Sequence, residues 1–219
     1  DWSSDVCSSD LAAVALAAGC AAPTHRFLAC GGETRIVEPD GHNGWSFPHA
    51  TRDGQVLPDG HVLLTLSKSA EHPHGAVVEL DPASGPAPGR TVFAWEGTQS
   101  EVNTAQRLQD GTTMVSEAGD APRILFLDRA GSVVRQVPLK CQSTNHHMES
   151  RMARALPRCN VLVPQLLDRV VREYAADGTV VREFRTPDQP KDAWPFTAIL
   201  LPDGHVLVTC THANMVVEF

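Results

Sequence analysis

Leu200-Leu201-Pro202-Asp203-Gly204-His205-Val206-Leu207 has three counterparts upstream in this chain. They are Val56-Leu57-Pro58-Asp59-Gly60-His61-Val62-Leu63, Arg107-Leu108-Gln109-Asp110-Gly111-Thr112-Thr113-Met114 and Ala155-Leu156-Pro157-Arg158-Cys159-Asn160-Val161-Leu162. The aligned leucines, Leu57, Leu108, Leu156 and Leu201, stand 51, 48 and 45 residues apart. Each copy reads as a strand end, a tight turn and a new strand. Asp-Gly supplies the positive φ that a short hairpin needs, and β-branched runs follow at 61–67, 112–116, 160–164 and 205–211. Period-two alternation in such runs marks strands with a buried face.

Working outward, third strands fall at 76–81, 123–128, 169–174 and 215–219, and fourth strands at 91–96, 132–137 and 179–184. Four antiparallel strands repeated every 40 to 50 residues or so are the blades of a propeller. Residues 26–30, 34–41 and 44–47 read as strands two to four of a blade whose first strand is missing. The expected fold is all-β: a β-propeller of four-stranded antiparallel blades, with three full and two partial blades. They run over about 26–48, 49–98, 99–140, 146–187 and 194–219, within an incomplete ring of about six to eight blades.

The first eleven residues, Asp1 to Leu11, read as an in-frame translation of a sequencing adapter and are set aside. Without Asp1, Asp5, Asp10 and Cys7 the net charge moves from −8 to −5, and five cysteines remain. Residues 12–25 read as the remnant of an export signal. Their apolar run is too short to span a bilayer, and Ala17-Ala18-Gly19-Cys20 resembles a bacterial lipobox. The implied location is exported, periplasmic or cell-surface, with membrane attachment only through a lipid anchor at Cys20. The end at Phe219 falls inside a strand, which implies a gene fragment.

Several functions are disfavoured. The acidic body carries no basic stripe for nucleic acid, and there is no phosphate loop or GxSxG elbow. Cys30, Cys141, Cys159 and Cys210 lack CxxC spacing, which speaks against zinc.

In an up-and-down blade, the links between blades share a rim with the links between strands two and three. His49, His146 and His147 lie in the first kind of link, and His72, His74 and His212 in the second; His42, His61 and His205 belong to the opposite rim. Three positions before each aligned leucine stand Gly54, Ala105, Ala153 and Ala198, and five before stand Arg52, Asn103, Arg151 and Phe196. The small residues suit crowding about the axis, and a separation of two puts Arg52, Asn103 and Arg151 on the same side. The candidate ligand-binding set is Arg52, His72, His74, Glu101, Asn103, His146, Glu149 and Arg151, with His49 and His147 as catalytic candidates. His72-Pro73-His74 and His146-His147 offer imidazoles without a clear third ligand, so no metal is assigned.

Leu-Pro-Asp-Gly-His-Val-Leu, Arg169-Val170-Val171-Arg172-Glu173-Tyr174 and Thr179-Val180-Val181-Arg182-Glu183-Phe184 resemble the repeats of bacterial exported quinoprotein-like (PQQ-like) propellers, over about residues 26–219. These motifs specify blades. The docking tryptophans and adjacent cysteines of true quinone dehydrogenases are missing, so the resemblance does not imply PQQ. A histidine followed by LPDG also resembles arylsulfotransferase propellers, implying a nucleophilic His49 or His147 assisted by Arg52, Arg151 and Asn103. Calcium-dependent lactonases of gluconolactonase type imply instead a calcium site at Glu101, Asn103 and Glu149.

The sequence-level expectation is an exported recognition propeller for a small polar or anionic molecule or a protein ligand, with no required cofactor and no signal for an oligomeric state. The alternative is an enzyme of arylsulfotransferase or calcium-lactonase type at the same place. Fold alone does not choose between them.

Overall fold

The computed structural model describes residues 25–219. The adapter-like segment, the leader and Cys20 lie outside the described residues, apart from His25. The described residues are all-β, a propeller of five small antiparallel sheets with three short 3₁₀ turns. Blade one holds β1 (Phe27–Ala29), β2 (Thr34–Val37) and β3 (Asn43–Phe47). Blade two holds β4 (Thr51–Val56), β5 (Val62–Leu66), β6 (Ala76–Asp81) and β7 (Arg90–Glu96). Blade three holds β8 (Glu101–Arg107), β9 (Thr113–Ala118), β10 (Arg123–Leu127) and β11 (Val133–Pro138). Blade four holds β12 (Arg154–Ala155), β13 (Val161–Gln165), β14 (Val170–Tyr174) and β15 (Val180–Arg185), and blade five β16 (Trp194–Leu200), β17 (Val206–Thr211) and β18 (Met215–Glu218).

There is no single core. Four apolar clusters sit between consecutive blades, because both faces of each middle strand are buried. In β5, Val62, Leu64 and Leu66 pack toward Ile36, Trp45 and Phe47 of blade one, whereas Leu63 packs toward Val102 and Val115 of blade three. Alternation therefore decides which neighbour a side chain meets, rather than core against solvent.

The turns behave as their residues require. Gly60, Gly111 and Gly204 adopt φ of 88°, 87° and 94°, the left-handed region in which glycine bears no Cβ penalty. The preceding aspartate closes each turn, as when Asp59 accepts from the His61 N–H at 3.0 Å. In blade four the same turn carries Arg158 and Cys159, at φ of 63° and 64°.

The small residues at Gly54, Ala105, Ala153 and Ala198 have a different cause from axial crowding. A Cβ on Gly54 would come within 2.7 Å of Leu28 and 2.9 Å of the Cys30 sulfur, both in blade one. Ala105, Ala153 and Ala198 likewise lie in the clusters between blades. Smallness here lets one blade's first strand approach its predecessor.

Candidate ligand site on the axis

The first strands of blades two and three each break register at the same repeat position. In β4, Thr51 pairs with Leu66 and Asp53 with Thr65, leaving Arg52 extra. In β8, Glu101 pairs with Ala118, Val102 with Glu117 and Thr104 with Ser116, leaving Asn103 extra. These are β-bulges, and the extra residue undoes the period-two rule. Thr51, on the Gly54 side, meets Thr34 of blade one at 2.5 Å. Arg52 and Asp53 both turn the other way, toward blade three.

The expectation that Arg52 and Asn103 share a side with Gly54 and Ala105 is therefore corrected. The bulges turn them instead toward charged and polar partners on the neighbouring blades, Arg52 to Glu101 and Asn103 to Arg151. The bulge also presents a second residue per strand, which period-two reading overlooks. Asp53 accepts from the Thr104 hydroxyl and takes both guanidinium nitrogens of Arg154 of blade four, at 2.8 and 3.0 Å. Three blades are thereby tied by one buried carboxylate. An aspartate in an innermost strand, before a glycine, was the available sequence signal for this tie.

At the link end of this tie the predicted residues converge. Arg52 pairs with Glu101, whose carboxylate also meets the His147 ring nitrogen Nδ1 at 3.1 Å. Arg151 of blade four donates to Asn103 Oδ1 at 3.2 Å, and Arg52 reaches the same oxygen at 3.5 Å. Glu101 and Asn103 are buried, with side-chain exposure of 1% for Glu101, while His147 is 59% exposed. The carboxylate and the amide are thus buried, and the imidazole beside them is exposed.

Two backbone devices place the cluster. A 3₁₀ turn over His146–Met148, closed by the Met148 N–H donating to Asn145 O at 2.8 Å, sets His147 beside Glu101. The Arg151 N–H donates to Pro164 O at 3.1 Å, which anchors the link on blade four before β12 begins.

Burial works to raise the Glu101 pKa, but the His147 hydrogen bond and the charges of Arg52 and Arg151 outweigh it and hold it at about 2. Burial and the nearby Arg52 charge bring Arg151 down to about 10, against the pull of Glu101. Both groups remain charged at neutral pH, so two guanidiniums face one carboxylate. Asn103 is oriented by the arginines: its oxygen accepts from both, and its Nδ2 is left buried without a partner among the described residues. Arg52 Nε is in the same condition. Buried polar groups are nearly always paired, so orphaned donors at one place point to an acceptor that belongs there.

The remaining candidates sit elsewhere. His146 pairs with Glu149 at 2.7 Å and with Asp120 at 3.2 Å, and Glu149 accepts from the Gly119 N–H at 3.0 Å. The Glu149 hydrogen bond raises the His146 pKa. His72 pairs with Glu96 at 2.9 Å. His74 enters the structure through its carbonyl, which accepts from Val102 N at 3.1 Å. The His49 ring packs edge-on against Phe47, with centroids 5.1 Å apart, and makes no ion pair among the described residues.

For a cation, the oxygens proposed from sequence are already engaged by donors: those of Glu101 by Arg52 and His147, of Asn103 by the two arginines, and of Glu149 by His146 and Gly119. Two other His/carboxylate groups lie together on the opposite rim, Asp59 with His61 and Glu79, and Asp203 with His205 and Glu218. They recur because residue four after the aligned leucine meets a third-strand glutamate: His61 with Glu79 at 2.8 Å, Asn160 with Glu173 at 2.5 Å and His205 with Glu218 at 2.7 Å.

No protein-family model and no curated protein sequence matches the chain. Solved structures do. A protein of unknown function from Bacteroides caccae aligns at TM-score 0.71 and 21% identity, over 90% of this chain and 73% of that one. A putative gluconolactonase aligns at TM-score 0.59 and 16% identity, over 88% and 69%. A streptogramin B lyase aligns at TM-score 0.55 and 19% identity; the match takes in 77% of this chain and about half, 54%, of the lyase. These likenesses establish the propeller fold. Neither a PQQ-like repeat family nor an arylsulfotransferase family is among the matches.

Proposed function

We propose that this propeller is an exported binding protein that holds a small anionic molecule at the link end of its axis. The observation that carries the reading is the Asn103 amide nitrogen, buried without an acceptor on a side chain whose oxygen accepts from two guanidiniums. Two arginines against one carboxylate favour an anion, and the flat guanidinium fork suits carboxylate, phosphate or sulfate oxygens. His147, exposed above the pair, would add a hydrogen bond from the opening.

The test is calorimetric titration with acetate, sulfate and phosphate of the wild type and the Asn103→Asp variant. Asp removes the donor and adds a like charge, so binding by the wild type should fall at least tenfold in the variant. Equal binding by both would remove the basis of the reading.

A second reading rests on the His147–Glu101 pair. A carboxylate that orients an exposed imidazole is the arrangement of a general base, and the structural neighbours include a lyase and a putative lactonase. On this reading Arg52 and Arg151 would steady the charge on the substrate and Glu101 would position His147. Incubation with a lactone panel would then show hydrolysis that His147→Ala abolishes while anion binding persists.

A further inference from the structure

The interface between blades three and four lacks a device that fills the interface before it. Between blades two and three, Arg107 reaches back to Glu79, the glutamate that repeats as Glu173 and Glu218. It also lies over the Phe93 ring, 5.5 Å from its centroid. At the next interface the register puts Ala155 where Arg107 stood and Phe126 where Glu79 stood. Losing the long side chain leaves a cavity of about 850 Å³ on the turn side of the propeller, lined by Phe126 and Ala155 among others. That volume is within the range of small-molecule sites, roughly 300–1,000 Å³.

Its chemistry is one-sided. Gln55 and Gln106 each give their side-chain oxygen to a backbone N–H of the following blade, Arg107 and Ala155, both at 2.9 Å. Their amide nitrogens are the groups left to donate. Arg107 also lines the cavity, but its guanidinium is turned to Glu79 and to the Gly111 carbonyl, the latter at 3.0 Å. Arg135 lies flat on Phe126, 3.4 Å from the ring centroid, and donates to the Cys159 carbonyl at 3.2 Å. The one carboxylate in the lining, Asp110, is turned to the Thr112 N–H and hydroxyl at 2.9 and 2.7 Å. Leu108, Val134 and Leu156 give the wall its apolar surface, and Gln109, Thr112 and Asn160 complete it with polar side chains.

We propose that this cavity is a second ligand site, taking a small organic carboxylate with an apolar body. The carboxylate meets the donors of Gln106 and Arg135, and the body lies against Leu156 and Val134. The site is separate from the axial cluster, and neither depends on the other.

Benzoate is a suitable probe, with benzyl alcohol as its neutral counterpart of the same shape. In ¹H–¹⁵N NMR spectra benzoate should shift the Gln55 and Gln106 side-chain amides and the Ala155 backbone amide, and benzyl alcohol should not. Ala155→Arg restores the arginine of the preceding interface and should weaken benzoate binding at least tenfold; Ala155→Met fills the same volume without charge and should do likewise. Asn103→Asp, which disables the axial cluster, should leave these shifts intact. Benzoate shifts that persist in both filled variants, or equal binding of benzyl alcohol, would overturn the proposal.

Discussion

The two ends of the innermost strands are built on opposite rules. At the turn end, blades two and three repeat one contact, a glutamine oxygen on the backbone N–H of the next blade, and three blades repeat a carboxylate facing the turn. At the link end, bulges break the register and gather Arg52, Glu101, Asn103 and Arg151 with donors left unpaired. Repetition holds the blades together; local departure from it exposes chemistry. The empty volume beside Ala155 follows the same logic at the other end.

The comparison breaks most severely where both ends depend on one tie. Arg154→Ala would leave Asp53, 6% exposed, buried without its bidentate partner. Removing one member of a buried pair costs about 3–5 kcal/mol, and since Arg154 is itself 31% exposed we expect the lower figure, about 3 kcal/mol, in urea unfolding.

Acid should loosen the link end. Glu101 titrates at about 2 in the folded protein against 4.5 normally, so its contribution is complete above pH 4.5 and lost as pH falls toward 2. Unfolding midpoints of wild type and Glu101→Gln, followed through that window, should converge as the pH falls.

The turn end can be weakened alone. Gln106→Ala strips the Ala155 N–H of its acceptor, at a cost of about 1–2 kcal/mol, without changing anion binding at the axis. A still smaller change has the opposite sign. Cys159→Gly relieves a left-handed backbone at φ of 64°, and after the greater unfolded-state entropy of glycine is counted it should stabilise by about 0.5 kcal/mol. A thermal melt of the two proteins would detect it.

The leucine spacing was enough to read the blades, because three of the four aligned turns carry Asp-Gly and the strands that follow them are rich in β-branched residues. Residue type singles out Arg52, Asn103 and Arg151, which the fold brings together, while the direction of Arg52 and Asn103 depends on bulges that strict alternation does not contain. A bulge leaves little mark on composition: Arg52 and Asn103 share a repeat position but no chemistry that would announce an extra residue. Asp53 and Thr104, each next to a bulged residue, escape notice for the same cause, whereas Arg154 lies in a regular pairing and bears no mark of its partner two blades away. His49 and His74 stand apart from that cluster: the His49 ring packs on Phe47, and the His74 carbonyl accepts from the Val102 N–H.

The glutamine contacts run one way: Gln55 serves blade three and Gln106 serves blade four, while the corresponding positions in blades four and five are Arg154 and Ile199. The series therefore has a direction and a stopping point. Blades two, three and four should resist opening as one mechanical block, with the slowest amide hydrogen exchange at Arg107 and Ala155 and progressively faster exchange toward blades one and five.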